Sequence, residues 1–409
     1  MPNRGNGQDI YFLAGVRTGF GAFGGVLKEF SATQLAVVAS KAALERARIS
    51  ADLIEHVIVG NALQTSADAI YLARHVALQS GCSIETPAVT VNRLCGSGFE
   101  AIVQGASQIL LGESRIVLAG GTESMSQAPH VVRGARWGLR LGPTPPLEDA
   151  LWEALRDPQC GLSMAETAEA LADRYKLSRN EVDAVALASQ QRARDAWTAC
   201  RFADEVVPVP VVNRKTKQVE PWTGDEHMRP DTTAEALAKL PPYFRKDGVV
   251  TAGNASGICD GAAMLVMAGD ETVKARGLAP IGRLVAWAVT GVEPGIMGIG
   301  PAPAIRKALT RAGMTLDQMD LVEVNEAFAA QYLAVERELG LDRARTNVDG
   351  GAIAVGHPLG ASGARLTLHL LHALRHRGKR FGIASACIGG GQGQAVVVEA
   401  LEVKRKGEK

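Results

Sequence analysis

The sequence carries almost no excess charge: 44 Lys and Arg against 43 Asp and Glu leave a formal charge of +1 over 409 residues. Without a basic field to hold a polyanion, no nucleic-acid partner is expected. Long apolar runs are missing too. No stretch nears the ~18–20 residues that cross a bilayer, so membrane insertion is not expected. The opening MPNRGNGQDI has neither an apolar core nor an Arg/Ser-rich amphipathic pattern, and the closing VKRKGEK matches no address motif. These absences lead to the expectation of a cytoplasmic protein. The six cysteines (Cys82, Cys95, Cys160, Cys200, Cys259 and Cys387) form no Cys-x-x-Cys pair and no Cys/His set at zinc-ligand spacing. Neither a disulfide framework nor a metal is expected.

What is present is an ordinary globular composition, 46% hydrophobic and 21% charged, long enough for two or three domains and a large core. Glycine is abundant: 45 residues, about 11% against a usual ~7%. Much of it clusters around Cys95, His357 and Cys387, and glycine is favoured where backbone must approach backbone or ligand closely.

Short β-rich runs at 10–16, 56–60 and 115–121 alternate with helical segments such as 33–49, the pattern of an α/β protein with buried, partly parallel strands. The chain also repeats itself. NRLCGSG ends at 98 and HPLGASG at 363, strands begin at 115 and 380, and HVIVGN and LVEVNE begin at 56 and 321, each pair 265 residues apart. Three registers with one offset predict a duplicated αβ unit. Residues 125–249 break the pattern with a Pro/Gly-rich stretch and two helical segments, which predicts an inserted domain covering one face. The expected organisation is an N-terminal half from 1–124 and 250–275, an insertion at 125–249, and a C-terminal half at 276–409.

Four positions have chemical potential. A strand-like TPAVTV leads into a glycine-flanked turn, and GSG then opens a helical stretch, putting Cys95 near a helix N-terminus where the dipole favours a thiolate; the alternative is a buried structural cysteine. His357 occupies the repeat position of Asn92, among small residues, as a general base or a hydrogen-bonded structural histidine. Cys387 ends a strand before a Gly-Gly-Gly run, including Gly389, whose N–H groups suit an oxyanion hole. Asn325 ends the strand LVEVN, either as a helix N-cap with Glu326 in the first turn or as an amide that stabilises an oxyanion. His369, His372 and His376 share one helical face, but no neighbouring carboxylate accompanies them in sequence, so they read as a solvated face rather than metal ligands.

In order along the chain, NRLCGSG, GGTESMSQAPH, VTAGNASGICDGAA, EVNEAFA, NVDGGAIAVGHPLGASGAR and SACIGGGQG resemble the motif set of the thiolases, over about residues 10–400. The resemblance implies two similar layered αβαβα halves and an inserted loop domain that binds coenzyme A. It implies that Cys95 is the acyl-accepting nucleophile, that His357 activates it and later the incoming thiol, and that Cys387 is the acid/base at the acetyl-CoA carbon. Asn325 and a water would form one oxyanion hole with His357, and the N–H groups of Cys95 and Gly389 the other. Arg229 and Thr232 would lie near the CoA nucleotide and Ser256 near the pantetheine arm. Met164, Phe244, Ala327 and Phe328 would line the pantetheine and acyl pocket. Cys95 and Cys387 should approach each other closely.

The implied activity is cleavage of 3-ketoacyl-CoA by CoA, or condensation of two acetyl-CoA in reverse, with CoA as substrate and no tightly bound cofactor. Arg93, Phe99, Gln127, Gln392 and the segment 61–78 resemble the mitochondrial-type 3-ketoacyl-CoA thiolases. Ser163 stands where biosynthetic acetoacetyl-CoA enzymes often carry histidine. A bacterial cytoplasmic relative is expected, as a homodimer, or as a homotetramer formed through 131–143. The alternatives are a decarboxylating condensing enzyme of the same superfamily and a non-catalytic acyl-CoA-binding protein.

Overall fold

The apolar runs become the long members of one mixed, eleven-stranded sheet. These are β1 (Ile10–Thr18), β2 (His56–Gly60), β3 (Ala88–Val91), β4 (Ile116–Ser124), β5 (Cys259–Gly269), β6 (Gly282–Gly291), β7 (Leu321–Val324), β8 (Phe381–Ile388) and β9 (Gln392–Ala400). The structure is a computed structural model and describes residues 8–213 and 215–401. The polar opening residues 1–7 and the VKRKGEK tail lie outside the described residues.

Antiparallel pairing of β1 with β6 joins two halves built alike. Outward from that seam, β1 meets β5, β5 meets β4, both antiparallel, and β4 meets β2 in parallel. On the other side β6 meets β9, β9 meets β8, both antiparallel, and β8 meets β7 in parallel. The expected duplication is therefore built into the sheet order. β3 adds one more parallel strand at the N-terminal edge.

The principal helices are α1 (Ala32–Ala47), α2 (Ser97–Leu110), α3 (Met164–Tyr175), α4 (Arg179–Thr198), α5 (Pro301–Ala312), α6 (Ala329–Leu339) and α7 (Leu359–His376). α1 covers the outer face of the N-terminal half, and α5 and α6 cover that of the C-terminal half. α2 and α7 fill the middle, in one apolar cluster with both halves of the sheet. That burial explains why β4 and β5 read as continuous runs rather than alternating ones.

The middle helices touch through the repeated glycine. A Cβ on Gly98 would lie 2.5 Å from the Ala364 nitrogen, and one on Gly363 would lie 2.3 Å from the Phe99 nitrogen. Because 98 and 363 are repeat mates, as are 99 and 364, the contact is two-fold symmetric. Any side chain at either position would push the helix starts apart.

The stretch around residues 205–225 is tied to the sheet by charge. Val206–Val207 pairs in parallel with the end of β1, and the fully buried Arg17 meets Glu205 and Asp225, each at 2.7 Å. Losing either carboxylate would strand a buried guanidinium, at a cost of about 3–5 kcal/mol.

One expectation fails here. The histidines of α7 are not a solvated face: 16 of its 18 residues are buried, including His369 and His372. The insertion brings the carboxylates that the local sequence lacks. His369 Nδ1 lies 2.9 Å from Glu205, and His376 Nε2 lies 2.7 Å from Asp204.

Candidate active site

β3 ends at Val91, and the chain turns sharply through Leu94–Gly96 before α2 begins at Ser97. Leu94 takes a left-handed φ of 47°, a strained conformation for a side-chain-bearing residue, and the turn presents Cys95 outward. The Ser97 hydroxyl braces it by donating to the Leu94 carbonyl at 2.7 Å and accepting from the Arg93 N–H at 2.8 Å. Cys95 is half-buried and packs against the Met125, Leu151 and Leu359 cluster. Burial pushes its thiol up from 9.0 to about 11, against a hydrogen bond from the Gly389 N–H; the Glu123 carboxylate pushes the same way as burial.

The expectation of a dipole-stabilised thiolate is thus corrected. A helix terminus contributes roughly 0.3–1 kcal/mol, less than one pKa unit, whereas a two-unit rise corresponds to about 2.7 kcal/mol. Burial wins, and the resting thiol is protonated.

His357 precedes α7 and is almost fully buried. Its Nδ1 lies 2.5 Å from the Ser362 hydroxyl, which itself donates to the Pro358 carbonyl at 2.8 Å. A hydroxyl has one hydrogen, so Nδ1 must be the donor to Ser362 and Nε2 keeps its lone pair. Asn325 Nδ2 approaches that Nε2 at 3.3 Å, in keeping with this tautomer. Burial, and secondarily the Arg365 charge, hold the imidazole down at about 3, so it is neutral at physiological pH.

Asn325 is fully buried at the end of β7, its N–H on the Ser385 carbonyl at 2.8 Å and its Oδ1 without a protein partner. The N-cap alternative is set aside, because α6 starts at Ala329 with Phe328 as its cap. Glu326 instead turns inward, accepting from Ser189 at 2.6 Å and Asn347 at 2.8 Å.

Cys387 is fully buried near the end of β8. Burial, then the neighbouring Cys95, pushes its thiol far above the usual range, so the two sulfurs are within electrostatic reach. Around Cys387 cluster Met297, Ala327, Met164 and Phe328. Met164 opens α3, whose N-cap is Ser163, and a Cβ on Gly389 would lie 3.3 Å from the Met164 sulfur. Phe244 packs with Phe328 against Ala165, Ala168 and Val250, and Ser256 donates its N–H to the Ala327 carbonyl at 2.9 Å.

Arg229 and Thr232 sit apart from this group on one surface turn. The Arg229 guanidinium donates to the Glu226 and Met228 carbonyls, and the Thr232 hydroxyl donates to the Arg229 carbonyl at 2.8 Å. The same turn reaches the site through His227: a Cβ on Gly257 would lie 2.5 Å from its ring, and the Gly257 carbonyl accepts the His357 N–H.

Two residues escaped the sequence reading. Ser362, which sets the His357 tautomer, lies within a quoted motif, but nothing in its spacing marks it. Glu123 is fully buried and accepts from Asn61, Ala62 and Leu63 of the N-terminal half and from Gly360 of the C-terminal half. A lone glutamate inside a buried strand, in GGTES, was its signal.

A cysteine on a strained turn before a helix, a second cysteine beside it on a glycine run, and a neutral histidine paired with an asparagine amide now stand together in a duplicated fold. The family pattern described as thiolase, N-terminal domain matches residues 10–271, and that of the thiolase C-terminal domain matches 278–400. The chain belongs to the thiolase family. It is 56% identical to a mitochondrial 3-ketoacyl-CoA thiolase of Homo sapiens over 96% of this chain and 98% of that protein. It is 47% identical to an acetyl-CoA acetyltransferase of Pseudomonas aeruginosa over 96% of this chain and 99% of that protein. The crystal structure of the human mitochondrial thiolase in complex with CoA superposes with a TM-score of 0.94 at 55% identity, covering 96% of this chain and 98% of that one. This thiolase is accordingly an acyltransferase.

The cytoplasmic expectation is overturned by the same comparison. Relatives 51% to 56% identical, from human, orangutan, cattle, mouse and rat, are all named mitochondrial and none of them cytoplasmic. A polar N-terminal stretch carries no weight against that kinship.

Proposed function

We propose that this thiolase cleaves 3-ketoacyl-CoA with CoA to give acetyl-CoA and a shortened acyl-CoA, and runs the reverse condensation when product levels favour it. The observation that carries this reading is the pairing of Cys95 and Cys387, two thiols within electrostatic reach, with the Gly389 N–H bonded to the first. One thiol serves as nucleophile and the other as carbon acid.

Each step follows from the protonation states. With Cys95 pushed to about 11, roughly one thiol in ten thousand is ionised at pH 7, so its proton must leave as sulfur attacks. His357, neutral with a lone pair on Nε2, takes it. Sulfur adds to the 3-keto carbon, the bond between C2 and C3 breaks, and its electron pair leaves on the acetyl-CoA enolate. Cys387, held protonated by burial, delivers a proton to that carbon. His357 passes the proton it holds to the Cys387 thiolate; the CoA thiol then attacks the acyl-Cys95, giving its proton to His357, which returns it to the departing Cys95 sulfur and frees the enzyme. Anionic oxygens are stabilised by the N–H groups of Cys95 and Gly389 and by the Asn325 amide with His357 and a water. No step calls for a resident cofactor.

The inserted segment 125–249 is read as the CoA-binding domain, between halves formed by 1–124 with 250–275 and by 276–409. Arg229 and Thr232 meet the nucleotide, Ser256 the pantetheine arm, and Met164, Phe244, Ala327 and Phe328 the pocket walls. Support comes from Met164, Ala327 and Phe328 gathering at Cys387 and from the link between the Arg229 turn and Gly257.

A homo-oligomer belongs to the same proposal. β3 is an edge strand with Val89 exposed, beside exposed Ile70, Tyr71, Leu78 and Ile84, and the 131–143 loop exposes Trp137, Leu139 and Leu141. Unpaired edges and apolar patches of this kind are usually covered. Light scattering should report a dimer, or a tetramer if the loop also engages; a monomer at micromolar concentration contradicts it.

The 47% identity to an acetyl-CoA acetyltransferase favours a second reading, restricted to acetoacetyl-CoA. CoA-dependent cleavage of a 3-ketoacyl-CoA series decides between them, with Cys95→Ser as control. Cleavage of long chains as fast as acetoacetyl-CoA supports the degradative reading. Activity confined to acetoacetyl-CoA supports the second, and no cleavage of any member contradicts both.

A further inference from the structure

The histidines of α7 play no part in the chemistry above, and two of them meet a carboxylate from the insertion. His372 and His376 stand one helical turn apart, with Asp204 opposite them on the turn after α4. One donor atom from each of the three lies within 4.8 Å of the other two. His376 Nε2 lies 2.7 Å from Asp204 Oδ2. His372 is 7% exposed, and its Nε2 has no hydrogen-bond partner among the described residues.

We propose that Asp204, His372 and His376 form a binding site for a divalent transition-metal ion of the zinc type, at the seam between the inserted segment and α7. Two imidazoles at i and i+4 with one carboxylate match the donor set and coordination number of a three-ligand zinc site, leaving a fourth position for water. In such a site ligands lie roughly 3.3 Å apart, set by bonds of about 2.0–2.1 Å. The Asp204 carboxylate, mostly exposed, can rotate to close the set, and the His376 side chain, partly exposed, gives the ion a path from solvent.

An unpartnered buried imidazole nitrogen is the observation a hydrogen-bonded pair alone does not explain. The Asp204–His376 contact satisfies two of the three residues and leaves His372 unused.

The surrounding charge selects the class of ion. Arg46 bonds the Asp204 carbonyl, Arg375 lies within electrostatic reach of Asp204, and Glu205 is already engaged by Arg17 and His369. With cationic neighbours and a single free carboxylate, charge alone does not hold a hard cation. Nitrogen donors favour zinc, cobalt, nickel or copper over calcium or magnesium. A bound ion would staple the insertion to the helix that follows His357.

The test uses the full chain, stripped with a chelator and with its accessible thiols alkylated so that no cysteine binds the probe. Zn2+ is titrated in competition with a chromogenic chelator, for the wild type and for His376→Ala and Asp204→Asn, which change partly exposed side chains and spare the core. One zinc per chain, weakened at least tenfold in both variants and not displaced by millimolar Mg2+ or Ca2+, is the expected result. Zinc should also raise the melting temperature of the wild type and not of His376→Ala. Equal zinc affinity in wild type and variants, displacement by Mg2+, or no saturable binding would overturn the proposal.

Discussion

The two halves present the same four positions to the interface between them, yet each position holds a proposed catalytic group in only one half. Cys95 has Gly360 as its repeat mate, His357 has Asn92, Asn325 has Gly60, and Cys387 has Thr122, each pair 265 residues apart. The silent members pack or brace instead. A Cβ on Gly360 would lie 2.4 Å from the Thr122 carbonyl, and one on Gly60 would lie 2.5 Å from the Ser97 carbonyl carbon. Thr122 donates to the Ala32 carbonyl, and Asn92 accepts the Leu94 N–H to hold the cysteine turn. In the proposed mechanism duplication thus supplies one nucleophile from the N-terminal half and three assisting groups from the C-terminal half, while the mirror-image site is filled with backbone.

The sharpest way to break this comparison is Cys95→Ala. Acyl transfer should fall by at least about 10^4-fold while circular dichroism and melting stay near wild type, because the change removes a single sulfur atom from a half-buried side chain. Retained thiolysis would remove Cys95 from the nucleophile role. Cys387→Ala comes next: carbon–carbon cleavage should drop about 10^2–10^4-fold, while acylation of Cys95 by a short acyl-CoA survives much better. Equal loss of both reactions contradicts a carbon-acid role.

Glu123 ties the halves together, and its titration gives a third test. Burial raises it from 4.5 to about 7, so between those values the folded chain keeps a proton that the unfolded chain releases. Stability from this group is therefore lost as pH rises through the window, by up to about 3.4 kcal/mol. Urea unfolding of wild type against Glu123→Gln should show the wild type losing ground from pH 4.5 to 7; the opposite slope contradicts it. The smallest expected effect compares repeat mates. Ser362→Ala removes the acceptor that fixes the His357 tautomer and should lower kcat about tenfold, the worth of one hydrogen bond. Ser97→Ala, which removes only a turn brace, should lower kcat less and stability by about 1 kcal/mol; equal kcat losses would erase the distinction.

Much of this was legible in the sequence because the signals were local or periodic. Strand runs at 10–16, 56–60 and 115–121 fall on β1, β2 and β4, and the 265-residue offset anticipates the two-fold contact of Gly98 with Gly363. What stayed hidden depends on segments far apart in the chain. His369 and His372 looked solvated because Asp204 and Glu205, over 160 residues away, were out of view. Cys95 looked like a stabilised thiolate because a helix start is visible in sequence and the burial that outweighs it is not. Asn325 stayed open between an N-cap and an oxyanion amide because strand and helix runs abut in sequence, whereas the chain spends three further residues before the helix begins.

The central claim is that one site is assembled from both halves, with Cys95 accepting the acyl group. Its most direct test is intact-mass and peptide mapping of the protein after exposure to acetyl-CoA without free CoA, for the wild type, Cys95→Ala and Cys387→Ala. The account predicts one acetyl group on Cys95 in the wild type and in Cys387→Ala, and none in Cys95→Ala. Acetyl on Cys387 or on any other residue in place of Cys95, or labelling that persists in Cys95→Ala, would contradict it.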